Sequence, residues 1–275
     1  MDVFVKSKDD LKTPLISCCV VLPGNKLVVV DDANNYFKLV NLTCGDVVSR
    51  MRLPGKICDI TQVSSTQVAA TAPNDQSIYF VNVGDKLKLD RKVKVNGECR
   101  GIASINDNLV VSYVRRNESA YNSWSEKVEI ISKTGRVLQT IISTEDRNDP
   151  RSREADSMCT AVNKNRETIY ILNVCKRTIT SVDLAGRIQA TYNDDNLRWP
   201  CSLTLDTAGT VYVCCQHMLR YFNNGLQLTA DLTEGRQLFQ ATDDVLQPRS
   251  VCYCEATDRL YVGYLSDVVK VFHME

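Results

Sequence analysis

Six times along this chain a polar residue opens a short apolar run of the same shape. The runs are Lys26-Leu27-Val28-Val29, Gln67-Val68-Ala69-Ala70, Asn108-Leu109-Val110-Val111, Thr168-Ile169-Tyr170-Ile171, Thr210-Val211-Tyr212-Val213 and Arg259-Leu260-Tyr261-Val262. Their starts lie 41, 41, 60, 42 and 49 residues apart. A recurrence of this length is the mark of a repeat architecture, in which each unit buries its apolar faces against its neighbours. The second position is aliphatic in every run. Stepping back nine residues from each start gives Ser17, Cys58, Cys99, Cys159, Cys201 and Ser250, a small hydroxyl or thiol each time. Two columns held at one offset fix the register.

Helix signals are nearly absent, and the runs are rich in Val, Ile, Leu, Tyr and Thr between Gly, Asn, Asp and Pro, which is the pattern of short strands. A third run follows in each repeat, as in Tyr36–Val40, Ile78–Val81, Val128–Ile131, Ile179–Val182 and Val268–Phe272. A hairpin glycine, one of Gly45, Gly84, Gly135, Gly186 and Gly225, then leads to a fourth, because tight hairpins need φ > 0. The expectation is all-β: a six-bladed β-propeller of four-stranded antiparallel blades, one domain over residues 1–275. The last repeat has only three runs, so an N-terminal strand at 2–7 is expected to complete it and close the ring. A pair of smaller β-domains is the structural alternative, and an unbroken six-fold register speaks against it. Two stretches break the period, Arg115–Glu126 within repeat three and Ser143–Asp156 after it. Both are expected as loops on one rim, where binding usually resides.

Charge narrows the function. With 33 Lys+Arg against 33 Asp+Glu, the chain is neither a basic nucleic-acid coat nor an acidic tail. No apolar run approaches the ~18 residues of a membrane span. Met1–Asp10 lacks the basic start and apolar stretch of a signal peptide. Twelve Cys spread through apolar runs suit a reducing compartment, in which thiols pack as small hydrophobes, so a cytoplasmic location is expected.

The run Arg198-Trp199-Pro200-Cys201-Ser202-Leu203-Thr204-Leu205-Asp206-Thr207-Ala208-Gly209-Thr210-Val211-Tyr212-Val213 resembles an NHL-type blade, with Pro opening the inner strand and Asp-x-x-Gly before the second. Gln247-Pro248-Arg249-Ser250-Val251 and Asn173 with Lys176-Arg177-Thr178-Ile179 are similar, although no literal Asn-His-Leu tripeptide occurs. The whole chain resembles the C-terminal six-bladed propeller of invertebrate tripartite-motif (TRIM-NHL) proteins. That resemblance implies a module that reads a protein partner or ubiquitylation substrate for a RING-type ubiquitin ligase. Some relatives bind RNA instead. The zinc-ligand spacings of RING and B-box parts and the heptads of a coiled coil are not in this sequence, so any ligase activity would lie outside it. A lone propeller is expected to be monomeric.

Catalytic constellations are sparse. Cys18-Cys19 and Cys214-Cys215 are adjacent strand residues that point to opposite faces, and Cys252-x-Cys254 has no second pair, so no metal or cofactor is expected. The two His, His217 and His273, have no evident nucleophile beside them, and neither GxSxG nor GxxxxGK[ST] occurs. Asp59, Glu98, Asp156 and Asn163 fall near inner strands but not at equivalent positions, a weak basis for a lactonase-like pocket. The chain is therefore expected to be non-enzymatic.

The candidate binding residues gather on repeats three to five: Arg115, Arg116, Tyr121, Trp124, Arg147, Arg151, Arg153, Lys176, Arg177 and Arg198. Aromatics beside Arg suit a protein hot spot or stacking on single-stranded RNA. The acids Glu118, Asp149, Glu154 and Asp156 interrupt the cluster, which favours protein over phosphate. A solvated, self-compensated rim is the bland alternative. A further basic run, Lys86–Val95, is expected as an outer strand, with Lys88, Lys92 and Lys94 outward, Leu87, Leu89, Val93 and Val95 inward, and a bulge near Asp90 resetting the register.

Overall fold

The computed structural model describes residues 2–117, 123–146, 158–174, 176–197, 199–216, 224–239, 245 and 247–274, with only the backbone course given at 115–117, 123–125, 143–146 and 158. Six four-stranded antiparallel sheets form six blades, at 16–52, 59–94, 99–146, 158–193, 200–239 and 250–273. The N-terminal strand Val3–Phe4 is the outermost strand of blade 6, pairing with Val269 and Val268. Closure is thus by the expected strand, but over two residues rather than the six of 2–7.

Burial explains the sequence pattern. The second strand of each blade is covered on both faces by adjacent blades, so it is continuously apolar instead of alternating. Leu27, Val68, Leu109, Ile169, Val211 and Leu260, the aliphatic column, are all fully buried. The outermost strand of blade 1, Asp46–Arg52, alternates exposed and half-buried residues, because only one face meets a neighbour. The core is accordingly six apolar layers, one in each joint between blades. The joint of blades 1 and 2 holds Val28, Phe37, Val68 and Tyr79, and that of blades 6 and 1 holds Val5, Val29, Tyr261 and Val269.

Three expectations are corrected. The inserted stretches of blade 3 are not loops throughout: its outer strands run Asn108–Asn117, Ser123–Ser132 and Val137–Asp146, so much of 115–126 and the start of 143–156 is paired strand. Gly225 is not in a hairpin. It lies inside the third strand of blade 5, Asn224–Leu228, where a Cβ would run into the Phe239 ring that stacks on Phe272. In the outer strand of blade 2, Leu87–Lys94, the bulge does fall at Asp90, between the pairs Phe80↔Arg91 and Val81↔Leu89. Leu89 nevertheless stays 42% exposed, since the blades splay apart with distance from the axis.

Candidate functional site

The innermost strands of all six blades line a central channel of about 260 Å³, with Val20, Thr61, Ser104, Thr160, Thr204 and Tyr253 among its walls. The thiol and hydroxyl column sits where these strands begin, and its side chains reach across the joints. Cys159 Sγ donates to the Cys201 carbonyl at 3.1 Å, Cys201 Sγ to the Pro248 carbonyl at 3.1 Å, and Ser250 Oγ to the Ile16 carbonyl at 3.2 Å. Cys99 Sγ reaches back to Ser77 O at 3.3 Å. In blade 1 a bulge between Ile16 and Cys18 moves the role one residue on, and Cys18 Sγ donates to Cys58 O at 3.1 Å. A donor must be small here to fit between converging strands, which explains why only Ser and Cys fill the column. The sequence showed the column but not this belt, because the acceptors belong to the next repeat. Burial pushes the Cys18 and Cys159 thiols well above their usual range, and that of Cys201 to about 12 despite the charge of Arg249. These are structural thiols rather than nucleophiles.

Asp59 and Lys164 carry charge on this otherwise neutral wall. Asp59 accepts hydrogen bonds from the backbone N–H of Ile60 and, across the joint, of Ile102, both at 2.9 Å. Burial nonetheless raises its carboxyl to about 7. The Thr160 hydroxyl is buried on the channel wall with no hydrogen-bond partner among the described residues. Just past the second strand of blade 1, burial raises Asp32, opposed by the charges of Lys56 and Arg249. Asn163 lies at the far end of its strand, in a second cavity of about 760 Å³ on the opposite face, and is not beside Asp59. Glu98 is paired with Arg100 at 3.1 Å, and Asp156 lies outside the described residues. Among the described residues, no three His, Cys, Asp or Glu side chains converge as metal ligands. His273 is exposed at the end of its strand, and His217 lies outside the described residues.

The rim offers the more distinctive surface. The three outer strands of blade 3 are ten residues each, longer than those of the other blades, and past the buried Val114 they raise an arm about 10 Å beyond the rim at ~3.3 Å per residue. Arg115 pairs with Ser125 and Arg116 with Trp124 along this arm. Its base is braced on blade 4: Asn173 Nδ2 donates to both Glu126 carboxylate oxygens at 2.7 and 2.8 Å, and Lys176 Nζ lies 3.6 Å from Glu126 Oε2. Lys176 and Arg177 are both exposed, Arg177 in a turn with φ 54°. Below the brace, Lys127 pairs with the buried Glu129 at 2.8 Å and stands over the Tyr113 ring. Tyr121, Arg147, Arg151, Arg153 and Arg198 lie outside the described residues, so of the ten candidates the structure places Arg115, Arg116, Trp124, Lys176 and Arg177 at one arm and its footing.

No family model matches this chain, and no curated protein matches it by sequence. Solved structures do match it in shape. A chain of hydrazine synthase from Kuenenia stuttgartiensis superposes with a TM-score of 0.62 at 13% identity, covering 98% of this chain and 99% of that one. Virginiamycin B lyase from Staphylococcus aureus gives 0.61 at 11% identity over 100% and 99%. A protein of unknown function from Bacteroides thetaiotaomicron gives 0.66 at 10% identity over 100% of this chain and 72% of that one. At such identities the likeness shows the fold alone, a β-propeller. No helix among the described residues is long and apolar enough to cross a membrane.

Proposed function

We propose that this propeller is a non-catalytic recognition domain that docks a protein partner on the arm of blade 3 and the adjoining rim of blades 4 and 5. The observation that carries this reading is the arm itself. Closing a blade needs strands of about six residues, and nothing in the packing of the ring requires ten. The brace from Glu126 to Asn173 and Lys176 holds the arm upright, so the surface is presented in one orientation and little ordering is needed on binding. The carboxylates Glu118, Asp149, Glu154 and Asp156 interrupt the basic residues of this region, which favours a protein over single-stranded RNA.

The resemblance of Arg198–Val213 to an NHL-type blade supplies the finer reading, a substrate-recognition propeller of a tripartite-motif ubiquitin ligase acting in the cytoplasm, with the catalytic RING part elsewhere. Free thiols at all eleven described Cys agree with a reducing compartment. Replacing 115–125 by an Asn-Gly turn between the paired residues Val114 and Glu126 tests the docking site. The variant should remain folded and lose its partner. Titration with pooled single-stranded RNA at ~50 and ~200 mM salt tests the competing class, and steeply salt-dependent binding would put RNA first. A second reading, a small polar molecule held in the channel, is favoured by Asp59 and the unpaired Thr160 hydroxyl. It predicts ligand binding that survives loss of the arm and fails in Thr160→Val.

A further inference from the structure

Blade 6 is closed by the shortest pairing in the molecule, yet the segment that closes it is tightly held. From Val5 onward the chain leaves the ladder and crosses the joint between blades 6 and 1 as a strap that ends at Pro14 and enters the first inner strand at Ile16. Beneath it lies Lys38, in the third strand of blade 1, Tyr36–Asn41, with a fully buried side chain. An ammonium has three protons, and Lys38 spends all three on fixed acceptors: Asp10 Oδ2 at 2.5 Å, Asp31 Oδ2 at 2.7 Å and the Val5 carbonyl at 2.8 Å. Two of those acceptors, Asp10 and Val5, belong to the strap, and the third belongs to blade 1. Asp10 accepts from Ser7 N at 2.7 Å on the same Oδ2, its Oδ1 being buried without a partner, and Asp31 accepts from Leu15 N at 3.1 Å and Asn34 Nδ2 at 2.8 Å.

The strap is also held by backbone hydrogen bonds, Val5 N to Asp267 O at 2.9 Å and Ser266 N to Pro14 O at 3.0 Å, and by the buried Val5 side chain. Its other ion pairs, Lys6–Asp267, Arg50–Asp9 and Lys270–Asp2, are partly exposed, each of small weight and screened by salt. Lys12 and Asn34 exchange two hydrogen bonds at the exposed surface. The other five joints are closed by covalent continuity and four-stranded sheets, and none of them depends on this cluster.

We infer that Asp10, Lys38 and Asp31 form a clasp that closes the ring, and that opening it releases residues 2–14 as one unit while the other five joints stay intact. Removing one member strands the others as buried charges with no partner, so the strap swings out to let water reach them. The edge of blade 6 at Val268 and Val269 is then uncovered.

Hydrogen exchange measured by mass spectrometry on the full chain tests the clasp, comparing wild type with Asp10→Asn. Exchange in 2–15 and 264–270 should rise by about tenfold or more, with 59–94, 99–114 and 200–216 unchanged, as expected for a local opening. An even rise over all blades, or none, would overturn the inference. If Asp10→Asn does not fold, Asp10→Glu, which keeps the charge on a longer side chain, should give the same local pattern at smaller size. Asp9→Asn, which removes only a surface pair, should leave the strap protected. So should ~1 M salt on the wild type, since a dry cluster is not screened; strap release under either condition would equally refute the clasp.

Discussion

Blades 3 and 6 depart from the common plan in opposite directions. Blade 3 has more strand than closure requires, with three strands of ten residues, while blade 6 has less, with an outermost strand of two. The deficit in blade 6 is compensated by burying an ion cluster and Val5 in its joint with blade 1. The surplus in blade 3 is compensated by nothing. Past the buried Val114 its extra pairs rise beyond the apolar layers, and the contacts at their base serve to orient them. A deficit repaired by packing reads as architecture, whereas a surplus braced in place reads as a surface held out for something else.

The comparison can be broken most sharply at Lys38. Lys38→Met leaves Asp10 and Asp31 buried without their cation, which should cost about 3–5 kcal/mol. At ~2–4 °C per kcal/mol for a chain of this size, the melting temperature should fall by roughly 6–20 °C. An unchanged melt would show that blade 6 is not closed by charge. The next effect is at Gly225, one joint away. Gly225→Ala drives a methyl into Phe239 and should cost about 1–3 kcal/mol by overpacking. Gly84→Ala, whose Cβ would meet nothing nearer than the Lys86 carbonyl at 3.9 Å, should stay within about 0.5 kcal/mol.

Asp59, in blade 2 and bonded to Ile102 of blade 3, sets a pH dependence. Its folded carboxyl titrates at about 7 against 3.8 for the free group, so between those values the folded chain holds a proton that the unfolded chain has lost. Stability from this group is therefore full below 3.8 and declines as pH rises toward 7. Carboxyl NMR should show a midpoint near 7; a midpoint near 4 would mean that water reaches the group. A small stability effect is expected from Glu126→Gln. It weakens the mostly buried brace to Asn173 and the exposed Lys176 by about 1 kcal/mol and acts on the posture of the arm, read as faster exchange at 114–117.

The frame was legible because it is repetitive. Six aliphatic residues at one position, each buried on both faces, leave a trace that no single strand would. The bulge at Asp90 is where it was expected, but alternation does not reveal it: Leu87, Leu89, Val93 and Val95 are in phase, and the bulge sends Leu87 to the joint with blade 1 and Val93 and Val95 to the joint with blade 3. Asn224-Gly225 misled because that dipeptide is a strong turn signal, whereas here the glycine clears space for Phe239, which lies in the next strand. The arm appeared as loop because Arg115-Arg116 and Ser123–Glu126 carry no apolar stripe: strands beyond the core need none. Lys38 gave no sign of its burial. It reads as an exposed position in Tyr36-Phe37-Lys38-Leu39-Val40, and its partner Asp10 is 28 residues away, brought near only when the ring closes. Long-range charge partners leave no local pattern, and the same holds for the carbonyls that receive the thiol belt.

The central claim is that the arm of blade 3 is the docking surface, and the most direct measurement is a quantitative pull-down comparing three forms of the protein. These are wild type, the form with 115–125 replaced by a tight turn, and Lys164→Glu in the cavity on the opposite face, each checked for an unchanged melt and each run with and without RNase. The account predicts proteins retained by wild type and by Lys164→Glu, indifferent to RNase, and lost when the arm is shortened. Partners that persist without the arm, or that vanish with RNase, would contradict it.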